Sequence, residues 1–356
     1  MFTFDELDAA KSIVQALVPP TPAYAWPLLA RRVGAQVIVK HENHTPTGSF
    51  KARGGLVYVE MLKREGRLPS GLITATRGNH GQSVAIAGKR AGIPVLIVVP
   101  DGNSAEKNAA MEAFGGELMV AGRDFDEARV IAAELARDRG FHFVPSFHRS
   151  LVMGVATYAM ELLTSFTELH RVYVPIGMGS GICAMIVVRD LLSLSTEIVG
   201  VVAEKAPAFA LSAEAGYPVS TETARTFADG LACRQPLAEP FEIMRKGALE
   251  IVRVTEAGRA GHLPPELLRG ATFTITNFGT EGGRFATPIV LPPQVAILGF
   301  GAVRVRPVVD GDAVVAAPTL PVSLSADHRV IDGRDATAFL EHVLARLRDP
   351  ATIDAR

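Results

Sequence analysis

Short apolar segments alternate with longer amphipathic ones through most of the sequence, and this alternation restricts the fold more than any other feature. Strands are predicted at residues 72–76, 94–99, 117–120, 171–175 and 197–202. Helices are predicted between them, for example at residues 82–91, 124–139 and 153–163. Strands that alternate with helices form a parallel sheet with helices on both faces. We therefore predict an α/β fold with ligand sites beyond the carboxyl ends of its strands.

Length, charge and cysteine content narrow the class of protein. The 356 residues are enough for two domains, and a formal net charge of −1 gives no basic surface for nucleic acid or an acidic membrane. Two cysteines cannot build a disulfide framework, which fits a reducing compartment. The first residues lack a basic signal region, and no apolar run approaches the roughly 18 residues that span a bilayer. We expect a cytoplasmic protein.

A lysine follows a segment that is rich in turn-forming residues. Lys51 comes directly after Thr45-Pro46-Thr47-Gly48-Ser49-Phe50. The turn ends a strand predicted at 36–40, and Ser49 is predicted to cap a helix that continues through 56–64. The positive end of the helix dipole and partial burial both lower the pKa of such a lysine, which leaves the free amine that a Schiff-base lysine needs. A lone lysine is usually an ordinary surface residue, so the flanking residues decide.

Two glycine-containing turns each follow a predicted strand. The first is Thr74-Ala75-Thr76-Arg77-Gly78-Asn79-His80-Gly81-Gln82, and the second is Gly177-Met178-Gly179-Ser180-Gly181. Glycine lets the backbone approach a ligand closely, and the helix that follows offers N–H groups to an anion. Either turn alone is weak evidence for an anion site. Their order behind Lys51 favours a cofactor site.

Taken together, these motifs resemble the fold-type II pyridoxal-phosphate enzymes of the threonine/serine dehydratase family, over about residues 1–256. The resemblance implies that Lys51 carries the cofactor, that Phe50 packs on the cofactor ring and that Asn79 bonds its ring hydroxyl. It also implies a phosphate site at Gly177, Met178, Gly179, Ser180 and Gly181. The substrate carboxylate would bind the turn that contains Arg77, Gly78, Asn79 and His80. Segments 202–208 and 226–230 resemble the same family.

The sequence departs from that family at three places. Arg77 stands where serine is common, and since that serine is the second acid/base of the racemases, we expect elimination without racemisation. Ala210 stands where some members place an acidic cation ligand six positions after the equivalent of Glu204, so we expect no metal site. The family's Ser/Cys-Gly-Gly-Asn turn, which partners the pyridine nitrogen, is not found in the sequence.

From residue 257 to 356 the sequence resembles the C-terminal half of a dihydrolipoamide acyltransferase catalytic domain, from 2-oxo-acid dehydrogenase complexes. The motifs are 259–263, 271–279, 292–299 and Ser325-Ala326-Asp327-His328-Arg329-Val330-Ile331-Asp332-Gly333. The resemblance implies an α+β segment like chloramphenicol acetyltransferase, with coenzyme A or lipoamide as ligand. His328 would deprotonate a thiol, Asp332 would act through an ion pair, and Thr276 would donate to the oxyanion.

Three functions follow from these resemblances. The first is a pyridoxal-phosphate lyase that converts a small amino acid such as threonine or serine to a 2-oxo acid and ammonia. The second is acyl transfer to a thiol through His328. The third is a non-catalytic fusion of two incomplete enzyme domains. Dehydratase-like proteins form dimers or tetramers and the acyltransferases form trimers, so we expect a homo-oligomer.

Overall fold

The computed structural model describes residues 1–256, 273–277, 285–290 and 294–348. The chain divides into two compact units, which span Met1–Ala260 and Gly261–Arg356. The first unit has parallel sheets covered by helices, as the alternation predicts. The second unit has a separate mixed sheet. Among the described residues, no helix is both long and apolar enough to cross a membrane.

The helices and strands of the first unit follow one another in the predicted alternation. The helices are α1 Phe4–Gln15, α2 Pro27–Val33, α3 Lys51–Arg64, α4 Asn79–Ala91, α5 Ala105–Ala113, α6 Phe125–Arg139, α7 Arg149–Ser165, α8 Ser180–Leu191, α9 Ala208–Ala215 and α10 Ala238–Gly247. The strands are β1 Ala23–Ala25, β2 Ile38–Lys40, β3 Leu72–Ala75, β4 Val95–Val99, β5 Gly116–Val120, β6 His142–Phe143, β7 Arg171–Pro175, β8 Glu197–Ala203 and β9 Glu250–Val254.

Two parallel sheets organise the first unit. One has the order β5-β4-β3-β6 and the other the order β7-β8-β9. Every residue of β3 and β4 is buried, because apolar side chains on both faces of these strands are covered by helices. The strand predicted at 36–40 is shorter: β2 pairs only at Ile38–Lys40, antiparallel to β1.

Glycines let the helix that begins at Lys51 pack closely against its neighbour. A Cβ on Gly54 of α3 would lie 2.8 Å from the carbonyl oxygen of Leu151 in α7. A Cβ on Gly154 of α7 would lie 2.3 Å from the carbonyl oxygen of Arg53. Side chains at these positions would force the helices apart. The α3–α7 contact therefore fixes the place of Lys51 relative to the sheets.

The second unit combines a small mixed sheet, a hairpin and a terminal helix. Strands β10 Thr274–Asn277, β11 Ala296–Phe300 and β14 Val322–Ala326 form the sheet, and β12 Arg304–Asp310 pairs antiparallel with β13 Ala313–Thr319. Helix α11 covers Gly333–Arg348. The predicted motifs at 259–263, 271–272, 278–279 and 292–293 lie outside the described residues.

Candidate active site

A cavity of about 70 Å³ lies in the first unit, where the loops leave the carboxyl ends of the parallel strands. Its lining includes residues predicted from separate motifs. The residues that line it are Lys51, Thr76, Arg77, Gly78, Asn79, His80, Lys107, Phe125, Ser146, Gly177, Met178, Asp229, Gly230 and Ala232. The fold therefore brings the lysine and both glycine turns to one place.

The turn before α3 is held by its own side chains. Thr45 Oγ accepts a hydrogen bond from the Ser49 N–H at 2.8 Å, and it donates to the Ser49 carbonyl at 2.8 Å. The Lys51 N–H donates to Ser49 Oγ at 3.3 Å. The prediction that Ser49 is the N-cap was wrong by one residue, because the cap position is Phe50 and has no side-chain cap bond. Ser83 Oγ on α4 also donates to the carbonyl of Lys51.

The environment of Lys51 lowers its basicity. Burial lowers the pKa of the Lys51 ammonium from its usual 10.5 to about 8, because a buried cation loses its hydration. This direction agrees with the sequence prediction, although burial is the cause that the structure identifies. At neutral pH a fraction of the chains therefore carries a free amine at the cavity wall.

Phe50 links the lysine segment to the second glycine turn. Its ring centroid lies 5.3 Å from Lys51 Nζ and 5.9 Å from the ring centroid of Tyr158. The Tyr158 hydroxyl donates to the carbonyl of Gly181 at 3.1 Å. A Cβ on Gly181 would lie 3.4 Å from Phe50 Cζ. The apolar ring of Phe50 thus lies beside both the lysine and the predicted phosphate turn.

The first glycine turn leads directly into α4. The Gly78 N–H donates to Thr76 Oγ at 2.9 Å, and α4 begins at Asn79. His80 is 7% exposed, and its Nε2 atom has no hydrogen-bond partner among the described residues. Burial, followed by the nearby Lys51 charge, lowers the pKa of His80 to about 3, so its ring is neutral. A buried polar atom without a partner points to a ligand in the cavity.

The second glycine turn fits a phosphate group. Gly179 has a φ of +97°, which glycine adopts without strain, and α8 starts at Ser180. The first N–H groups of α8 have no acceptor within the helix, so they can bind an anion. A Cβ on Gly177 would lie 2.1 Å from the carbonyl oxygen of Gly230, so only glycine fits there. These residues and the unpartnered His80 Nε2 fit pyridoxal phosphate.

Sequence reasoning missed two charged residues of the cavity. Lys107 of α5 forms an ion pair with Asp229, which lies in the short 3₁₀ helix Asp229–Leu231. The Lys107 side chain also crosses Gly78, since its Cδ lies 2.8 Å from the position of a Gly78 Cβ. Asp229 falls in the family-like segment 226–230 and was therefore detectable. Nothing local distinguishes Lys107 from a surface lysine.

The predicted acyl-transfer residues of the second unit are not side by side. The strand register places Thr276 opposite Gly299, and Gly299 opposite Ser323. His328 is exposed and follows the end of β14. Asp332 Oδ1 accepts hydrogen bonds from the backbone N–H groups of Arg334, at 2.8 Å, and Asp335, at 2.9 Å, so Asp332 caps α11. Among the described residues Asp332 has this capping role in place of the predicted ion pair.

The sequence predicts that the cation site of some family members is weak or absent in this protein, because Ala210 replaces an acidic ligand that would act together with Glu204. Glu204 is exposed at the end of β8, and Ala210 is buried in α9. Within the described ranges, no group of three or more His, Cys, Asp or Glu side chains is placed to hold a metal ion. The lack of a metal requirement stays a prediction.

Comparison with known proteins supports both resemblances. A family model described as pyridoxal-phosphate dependent enzyme matches residues 14–258. A model described as 2-oxoacid dehydrogenases acyltransferase (catalytic domain) matches residues 242–354. Both family resemblances that were found in the sequence are therefore confirmed.

Individual relatives agree with the longer of these matches. The biosynthetic L-threonine dehydratase of Pasteurella multocida is 33% identical over 235 residues, which cover 66% of this chain and 46% of that enzyme. The L-threo-3-hydroxyaspartate ammonia-lyase of Saccharomyces cerevisiae is 33% identical over 254 residues, 71% of this chain and 77% of that enzyme. The solved structure of the processed form of threonine deaminase isoform 2 from Solanum lycopersicum superposes with a TM-score of 0.65 at 30% identity, covering 72% of this chain and 76% of that chain.

The chain spans about half the length of the first of these relatives. The match to the first family model nevertheless covers most of the chain, including Lys51 and both glycine turns. The chain therefore belongs to the pyridoxal-phosphate dependent enzyme family.

Proposed function

We propose that the first unit binds pyridoxal phosphate on Lys51 and eliminates the β-hydroxyl of a small amino acid such as threonine or serine. The observation that carries this proposal is the position of Lys51, whose amine has a pKa of about 8 and lines the same cavity as both glycine turns. A lysine poised near neutral pH suits both covalent attachment and proton transfer. The names of the Pasteurella multocida relative, L-threonine dehydratase, and of the Solanum lycopersicum structure, threonine deaminase, support the same substrate class.

Each group of residues has a distinct role in this proposal. Pyridoxal phosphate, when bound, supplies an electron sink for the negative charge that develops at Cα. The turn from Gly177 to Gly181 holds the phosphate, Phe50 packs against the ring and Asn79 bonds the ring hydroxyl. The N–H groups at the start of α4 bind the substrate carboxylate. Lys51 would hold the cofactor until the substrate amine replaces it, and the freed Lys51 amine would then remove the Cα proton.

The proposed reaction balances without another reactant. The Cα proton and the β-hydroxyl leave together as water, and one water then hydrolyses the resulting imine to a 2-oxo acid and ammonia. Racemisation needs a second acid/base group, and a guanidinium such as that of Arg77 is poorly suited to this role. We therefore propose elimination without racemisation.

Cofactor attachment is the direct test. The protein is mixed with pyridoxal phosphate, its visible spectrum is recorded, the adduct is reduced with borohydride and the labelled peptide is mapped. We expect a single label on Lys51, and ammonia release from threonine or serine that Lys51→Ala abolishes. Lys89→Ala, at an exposed lysine of α4, is the control and should retain both. Ammonia release by Lys51→Ala at the parent rate would contradict the proposal.

The family match at residues 242–354 favours a second candidate, acyl transfer through His328 with coenzyme A or lipoamide as the thiol. Coenzyme A-dependent consumption of an acyl-dihydrolipoamide tests it. The activity should disappear in His328→Ala and persist in His342→Ala, an exposed histidine of the same unit. If the parent shows no such turnover, the second unit is a non-catalytic part of the fusion.

An exposed apolar surface supports the predicted homo-oligomer. Helix α2 buries none of its residues, and Leu28, Leu29 and Val33 are 56%, 43% and 61% exposed. Contiguous exposed apolar side chains commonly mark an interface between subunits. Sedimentation should show an oligomer that dissociates in Leu28→Asp. The cytoplasmic location and the absence of nucleic-acid or membrane partners stay predictions.

A further inference from the structure

The charges around the cavity do not balance. Lysine and arginine side chains line it at Lys51, Arg77 and Lys107, whereas Asp229 is the one carboxylate among the described lining residues. Asp229 is already paired with Lys107. This pairing also shields an incoming anion from the Asp229 carboxylate. Of Arg77 and Lys107, Arg77 is therefore the one that has no counter-charge among the described residues.

Arg77 is half-buried, and it forms no ion pair or side-chain hydrogen bond with any residue that the structure describes. A guanidinium stays charged at any physiological pH and offers several N–H donors in a planar fork, which fits a carboxylate. Burying such a group without an acceptor costs free energy. The side chain is therefore suited to an anion that the cavity receives from outside.

The neutral ring of His80 lies at the same turn. Its ring is 7% exposed, and Nε2 has no partner within the described part of the chain. His80 lies three positions after Arg77 and lines the same cavity. Arg77 and His80 thus flank Gly78 and Asn79. An anionic group on this side of the cavity would satisfy the Arg77 guanidinium, and the neutral His80 ring needs only a hydrogen bond.

The other anions of the proposed reaction already have sites of their own. The turn at Gly177–Gly181 and the start of α8 fit the cofactor phosphate. The N–H groups at the start of α4, a helix of 13 residues, fit the substrate's α-carboxylate. Arg77 precedes the Gly78 cap of that helix, so its guanidinium is not needed for either anion.

We propose that Arg77 binds a second acidic group on the substrate side chain, so the preferred substrate is a β-hydroxy amino acid with an anionic side chain. This inference rests on the proposed lyase function. The reaction keeps the balance given above, and its product is a dicarboxylic 2-oxo acid with ammonia. Arg77 acts here as a specificity residue, with no part in proton transfer.

The decisive experiment compares substrates with and without a second carboxylate. The holoenzyme is assayed with threonine, serine and threo-3-hydroxyaspartate, the simplest β-hydroxy amino acid that carries a second carboxylate. We expect kcat/KM to be highest for 3-hydroxyaspartate. Loss of a charge-assisted hydrogen bond costs about 1.5–3 kcal/mol, so Arg77→Gln should lower kcat/KM about 10- to 150-fold for this substrate. The losses for threonine and serine should be smaller, and Arg77→Lys should recover part of the loss for 3-hydroxyaspartate.

Arg90→Gln is the matched control, since Arg90 is an exposed arginine near the end of α4. An equal loss for all substrates in Arg77→Gln would show that Arg77 binds the α-carboxylate, and weaker binding of pyridoxal phosphate would show that it binds the phosphate. Either result overturns the proposal.

A binding measurement separates this inference from the lyase function itself. Calorimetry compares malonate with acetate as ligands of the holoenzyme. Tighter binding of malonate that is lost in Arg77→Gln would support a second anion subsite even if no substrate turned over. Equal binding of the two acids, or equal binding by parent and variant, would overturn it.

Discussion

Arg53 of α3 and Glu161 of α7, 108 positions apart in sequence, are joined by two hydrogen bonds of 2.6 and 3.0 Å. Glu42 accepts two more from the same guanidinium, at 2.8 and 3.0 Å. Arg53 is completely buried, and both carboxylates are largely buried. Because Arg53 lies in the same helical turn as Lys51, this network fixes the start of α3 at the cavity wall.

Replacing the arginine should therefore destabilise the protein strongly. Arg53→Met would remove the guanidinium from two largely buried carboxylates and leave them Lys40 as an ion-pair partner, and breaking a buried pair in this way costs about 3–5 kcal/mol. Urea unfolding of parent and variant measures the loss. Arg245→Met, in an exposed pair with Glu242, is the control and should change stability little. A stability of Arg53→Met close to the parent's would show that the network does not hold α3.

Lys51 should make the stability of the cofactor-free protein depend on pH. Between its folded pKa of about 8 and its usual 10.5, the unfolded chain binds a proton that the folded chain does not. The free energy of unfolding therefore rises as pH increases through that range. Below about pH 8 the folded protein bears the full free-energy cost of burying the Lys51 ammonium.

Lys51→Met removes this cost, so we expect the variant to be more stable than the parent near neutral pH, with a difference that shrinks towards pH 10.5. Denaturant unfolding at both pH values checks the sign. The same substitution at exposed Lys89 should give a difference that is independent of pH. A constant difference for Lys51→Met would exclude the lowered pKa.

The space around Gly177 predicts a steric effect on cofactor binding. Because a Cβ there would meet the Gly230 carbonyl at 2.1 Å, Gly177→Ala must move one of the two turns. Overpacking of this kind costs about 1–3 kcal/mol, so the affinity for pyridoxal phosphate should fall about 5- to 150-fold. Fluorescence titration with the cofactor measures it. Gly333→Ala, where the structure has open space, should bind as the parent does.

Both thiols should be unreactive in the native protein. Cys183 and Cys233 are buried and free, and burial raises the pKa of Cys233 to about 12 and that of Cys183 further. Since the thiolate is the reactive form, a disulfide reagent should modify neither residue until the protein unfolds. Fast modification of the native protein would show that the helices α8 and α10 open around Cys183.

Asp332 should act on stability through the helix it caps. Asp332→Ala removes the acceptor for the N–H groups of Arg334 and Asp335 at the start of α11. Loss of such a cap costs about 0.5–2 kcal/mol. Asp332→Asn, which can still accept these bonds, should retain most of the stability in the same unfolding assay. Equal destabilisation by both variants would favour the ion pair that the sequence suggested.

The sequence by itself determined the α/β class, the strand order along the chain and the lysine and glycine turns, because period, turn chemistry and local motifs act over a few residues. It also identified both family resemblances. Only the tertiary structure decided which distant residues meet. The ion pair of Lys107 with Asp229, the close approach of Gly177 to the Gly230 carbonyl and the lack of a partner for Arg77 among the described residues depend on loops from different strands. No local pattern encodes such distances. The sequence prediction also placed the cap of α3 at Ser49, where the structure has Phe50, and it did not identify Asp332 as the cap of α11.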